Sequence, residues 1–112
     1  METKAPADGE TVEAVDGVHL TQLVAGERTS VQHFHVEPGA SIPEHSHEHE
    51  QAGYVDRGTL TFVVAGETHV VTAGESYVLP GGEPHAAENR GEDPVSGVDV
   101  FSPPRLASDW SE

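Results

Sequence analysis

From Gly39 the chain runs Gly-Ala-Ser-Ile-Pro-Glu-His45-Ser-His47-Glu-His49-Glu-Gln51, placing three imidazoles and a carboxamide within seven residues. Neutral imidazole and amide oxygen are ligands for divalent transition metals. In an extended segment alternate side chains share a face, so His45 and His47 can approach one ion from a single strand. Further ligands must come from other positions. By parity Gln51 and His49 are both available, and a second segment, from Gly74 through Pro80 and Gly82, ends in His85, 38 residues beyond His47. There is no Cys, so disulfides and thiolate ligands are excluded and any metal is held by nitrogen and oxygen.

The elements that position these groups read as short strands. Fifteen of the residues are Val, a β-favouring type, and they fall in short runs between turn signals. Gly58, Gly66, Gly74 and Gly82 recur every eight residues, the pace of one strand plus a tight turn. Strands are expected at 12–15, 18–24, 31–36, 51–56, 59–64, 68–72, 76–79, 85–88 and 96–101, and no window carries a helical stripe. Many short, evenly spaced strands imply an all-β sandwich or barrel. With 112 residues there is room for one core. Residues 1–10, polar and rich in Pro and Gly, read as a flexible arm, and 11–112 as one domain with a C-terminal tail. Pro103-Pro104 stops the last strand, so the tail must cross the surface or cap an opening.

The formal net charge is −15, from 20 acidic and 5 basic residues. Nucleic acid and anionic membranes are poor partners for such a surface. Adaptation to high salt would explain it, since charge repulsion is screened within about 3 Å at 1 M salt. The N-terminus shows no basic start followed by an apolar run, and nothing approaches a membrane span. A cytoplasmic protein is expected.

The two histidine segments resemble the paired motifs of the cupin family. Gly39, five residues, His45-x-His47, three residues, Gln51, six residues and Gly58 is similar to the first motif, in which Glu usually stands where this chain has Gln51. Gly74, five residues, Pro80-x-Gly82, two residues, His85, three residues and Asn89 matches the second. The resemblance implies a single-domain antiparallel jelly-roll β-barrel holding one divalent metal on His45, His47, Gln51 and His85. Three imidazoles and an amide leave the full charge on the ion, and such donors suit Zn, Ni, Fe or Mn rather than Ca or Mg. Family spacing favours Gln51 over His49. His33 and His35 share one face of their strand, either lining the cavity or, as the reading preferred here, facing solvent.

The string Asp99-Val-Phe101-Ser-Pro-Pro-Arg105 puts an acid and an aromatic on one strand face and an arginine just past a bend. It resembles the closing segment of the pectin-degradation cupins, as do His45-Ser-His47 and Glu50-Gln51-Ala-Gly-Tyr54-Val. The resemblance implies an enzyme that converts 4,5-unsaturated uronate monosaccharides to linear ketonised sugars. Asp99 would move the proton, Arg105 would grip the carboxylate and Phe101 would pack on the ring. The alternatives are a metal-dependent oxygenase or lyase and a non-catalytic cupin that binds a small anionic ligand. Edge strands and the family likeness both lead to a homodimer, with residues 12–24 available to pair across.

Overall fold

The computed structural model describes residues 1–106, and the remainder of the expected tail, 107–112, lies outside the described residues. A single 3₁₀ turn at Pro6–Asp8 precedes ten strands: β1 (Glu10–Val15), β2 (Val18–Ala25), β3 (Ser30–Val36), β4 (Ser41–His45), β5 (Glu50–Arg57), β6 (Thr59–Val64), β7 (Glu67–Thr72), β8 (Ser76–Leu79), β9 (His85–Glu88) and β10 (Val95–Ser102). They form two sheets, ordered β1-β2-β3-β10-β5-β8 and β4-β9-β6-β7. Every pairing is antiparallel. The fold is an antiparallel jelly-roll β-barrel.

The period-2 pattern decides what faces inward. On β3, Ser30, Gln32, Phe34 and Val36 are buried while Val31, His33 and His35 alternate outward. The solvent-facing reading of His33 and His35 therefore holds, and His35 meets Glu37 at 3.0 Å on that outer surface. On β10, Asp99 and Phe101 point in, and Val98 and Val100 point out. The inward apolar residues, among them Val18, Leu20, Phe34, Val36, Val55, Leu60, Phe62 and Val95, pack into one cluster between the sheets. Each fully buried side chain of this size contributes about 1.5–3 kcal/mol through removal from water.

One strand was not anticipated. β4 carries Pro43 in its middle, which a central strand could not accept because proline has no N–H for the ladder. It is tolerated because β4 is an edge of the four-stranded sheet. The register slips between Ile42 and His45, and after that irregularity His45 stands directly opposite His85 on β9. The expectation that His45 and His47 project from one strand is corrected accordingly. β4 ends at His45, and His47 sits in the irregular segment before β5.

Two turns fix the ends of the histidine segments. Gly58, between β5 and β6, has φ +80, and a Cβ there would lie 2.6 Å from the Pro94 carbonyl oxygen, so both conformation and space call for glycine. Asn89 closes β9. It is 2 % exposed, donates to the carbonyls of Val36 (3.0 Å) and Asp93 (2.8 Å), and accepts from Gly91 N–H at 3.0 Å.

Candidate metal centre and its cavity

His45, His47 and His85 come together with their candidate ligand atoms all within 4.8 Å of one another. Each ring is oriented from behind by the main chain. Nδ1 of His45 lies 3.0 Å from the Pro43 carbonyl, Nδ1 of His47 3.0 Å from that of His49, and Nδ1 of His85 2.9 Å from that of Glu83. A carbonyl can only accept, so each Nδ1 carries the proton and each Nε2 of the neutral ring keeps its lone pair. This is the orientation that metal-ligating histidines adopt.

Gln51 Oε1 lies 3.2 Å from His47 Nε2. With Nδ1 protonated, both of these atoms are acceptors, and two acceptors brought together are stabilised by a cation or a shared proton. The donor set thus fits a divalent ion bound by three imidazoles and an amide oxygen.

Burial keeps the His47 and His85 rings neutral. Burial, reinforced by Arg105 and His85, holds the His47 pKa down at about 4. Burial likewise lowers that of His85. Both are therefore unprotonated at neutral pH, as ligands must be.

The centre opens on a cavity of about 850 Å³ inside the barrel, whose lining includes His45, His47, Gln51, His85, Asp99, Phe101 and Arg105. Asp99 is 5 % exposed. Its pKa is raised to about 6 by burial, against the opposing pull of hydrogen bonds from Tyr77 and Gln51 and of the Arg105 charge. The Tyr77 hydroxyl donates to Asp99 Oδ1. Burial, followed by the adjoining Asp99 charge, raises the Tyr77 pKa far above its ordinary value. Phe101 presents its ring to His47 at 5.7 Å and carries the Arg105 guanidinium 5.4 Å from its centroid. Beyond the end of β10, Pro103, Pro104 and Arg105 fold back to line the cavity. Ser30 holds the segment there: Arg105 N–H donates to its hydroxyl at 2.8 Å, and the hydroxyl lies 3.2 Å from the Arg105 carbonyl.

All seven residues singled out from the sequence therefore face one space. His49 lines it too, with its ring 6.1 Å from Phe101, but stands outside the three-histidine group. Sequence reasoning missed Tyr77 and Gly53. Gly53 alone carried a signal: it interrupts the inward row Gln51, Gly53, Val55 of β5, and a glycine inside a strand marks close approach of another group.

The Cupin_2 cupin-domain family matches residues 32–101. No curated protein sequence matches the chain. Among solved structures, KdgF from Halomonas sp. superposes with a TM-score of 0.83 at 23% identity, covering 96% of this chain and 97% of that one. An RmlC-like cupin from Shewanella frigidimarina gives 0.79 at 26% identity, over 94% and 96% of the two chains. The polyketide cyclase RemF from Streptomyces resistomycificus gives 0.80 at 26%, over 100% and 91%. The match over 32–101, containing both histidine motifs and the inward face of β10, establishes that this chain belongs to the cupin family.

Proposed function

We propose that the protein converts 4,5-unsaturated uronate monosaccharides to linear ketonised sugars at one divalent transition metal, Zn, Ni, Fe or Mn, held by His45, His47, Gln51 and His85. The observation that carries this reading is the convergence of Asp99, Phe101 and Arg105 on the histidine group within one cavity. The likeness of the closing string to the pectin-degradation cupins, and of the fold to KdgF from Halomonas sp., point the same way.

The reaction is an isomerisation. Opening the ring removes a proton from the anomeric hydroxyl and breaks the bond from the anomeric carbon to the ring oxygen; the resulting enol then takes a proton on carbon. One carboxyl group that accepts a proton and returns it is sufficient. Asp99, with a pKa near 6, is poised between its two forms close to neutral pH and suits that task. Arg105 provides the cationic partner for the substrate carboxylate, which a protein of net charge −15 would otherwise repel. Phe101 offers an apolar ring at the cavity wall for the sugar face. A metal bound at the histidines supplies a Lewis acid that polarises substrate oxygens.

The test is to follow loss of the double-bond absorbance of unsaturated galacturonate with metal-loaded protein. The wild type clears it, Asp99→Asn lowers kcat by about a hundredfold or more, and Arg105→Ala acts chiefly on KM. A wild type no faster than buffer would sink the assignment and favour a cupin that binds an anion without turning it over.

A further inference from the structure

Gln51 can offer a metal only its carbonyl oxygen; an amide turned the other way presents N–H groups. What sets its direction lies on the neighbouring strands. Its oxygen faces His47 Nε2 at 3.2 Å, while Asp99 on β10 and Tyr77 on β8 stand diagonal to Gln51 on either side of β5, within reach of the other end of the amide. A carboxylate accepts and never donates, so the nitrogen end of the amide belongs against Asp99. Tyr77 donates in turn to Asp99 Oδ1.

This cluster exists because of Gly53. Tyr77 on β8 and Asp99 on β10 flank β5, and both stand opposite Gly53 in register. Their backbones are two strand spacings apart, about 10 Å, and the tyrosine crosses over the glycine to reach the acid. A Cβ at residue 53 would collide with the Tyr77 ring, its hydroxyl and Asp99 Oδ1. Gly53 is not among the glycines with positive φ, so the position demands space and not an unusual backbone.

We propose that Tyr77 and Asp99, joined through the gap at Gly53, are positioning residues that lock the Gln51 carbonyl oxygen toward the three histidines, and that this pairing is why position 51 carries an amide. A glutamate there would set one carboxylate against another inside the barrel, where like charges oppose each other's ionisation. The amide instead complements both neighbours, donating to Asp99 and turning an acceptor to the metal. The inference rests on the metal-binding reading above.

Zinc affinity, measured by chelator competition, tests it without recourse to turnover. Tyr77→Phe keeps the ring that packs 4.7 Å from Phe62 and removes only the hydroxyl. Loss of a group that orients a metal ligand weakens binding by about 10–100-fold, and that is the expected result, with the urea midpoint checking that the barrel stays folded. A charge exchange supplies a readout that mere packing would not move. Gln51→Glu combined with Asp99→Asn restores an amide–carboxylate pair in the opposite sense, and should bind zinc at least about tenfold more tightly than Gln51→Glu alone. Equal affinities for wild type and Tyr77→Phe, or for the double and single variants, overturn the proposal and leave the metal site standing. A wild type that binds no zinc overturns both.

Discussion

At the scale of single residues, two buried groups titrate in opposite directions. Folded His47 takes up its proton only near pH 4, against an ordinary value of 6.5. Between those values the unfolded chain carries a proton that the folded chain lacks, so this residue makes stability rise with pH. Asp99 keeps its proton to about pH 6 in the fold, against 3.8 ordinarily, and so makes stability fall as pH rises through that range. The two slopes oppose each other in metal-free protein. Asp99→Asn removes one of them, and its urea midpoint should climb more steeply than that of the wild type between about pH 4 and about pH 6. Parallel curves would show that burial does not shift Asp99. A divalent ion added to the wild type competes with protons for the histidines, so the midpoint it raises at neutral pH should return to the metal-free value as pH falls.

At the scale of elements, the motif asparagine is a clamp rather than a ligand. Asn89→Ala leaves the Val36 and Asp93 carbonyls and the Gly91 N–H without their partner, at a cost of about 1–3 kcal/mol in urea unfolding for each buried group left unsatisfied. Zinc affinity should change far less than in Tyr77→Phe. Nine strands were legible from short valine-rich runs between glycine turns, and β3, β5 and β10 added a clean alternation between core and solvent. β4 was hidden because Ser-Ile-Pro-Glu-His neither alternates nor avoids proline, and only its place at a sheet edge makes it a strand. The candidate ligands were legible because their spacing is local to each motif. Tyr77 was not, because its partnership with Asp99 depends on β8 and β10 lying on either side of β5, an order that chain sequence does not reveal. Asp99 was legible as an acid sharing a strand face with Phe101, but its role as proton carrier came from a resemblance, since an acid in a strand has no periodic signature.

At the scale of the whole molecule, the charge of −15 is spread over a small barrel and sets its response to salt. Adaptation to high salt predicts a urea midpoint that rises markedly from dilute buffer to about 1 M KCl, where the screening length shrinks to about 3 Å; equal midpoints would remove the idea. A homodimer is the expected state in sedimentation, because β1 leaves an open edge on the six-stranded sheet and Tyr54, Val78 and Val100 are exposed on its outer face. No helix among the described residues is long and apolar enough to cross a membrane. The hold of Ser30 on Arg105 has a practical corollary for anyone handling the protein. The guanidinium of the cavity is carried by a strap that one serine hydroxyl, 1 % exposed, grips from both sides. Truncation before Arg105 would therefore remove the guanidinium from the cavity and orphan a buried hydroxyl while sparing every strand. On the proposed function, such a shortened protein is expected to keep its urea midpoint and zinc affinity close to wild type while its KM for the anionic sugar rises.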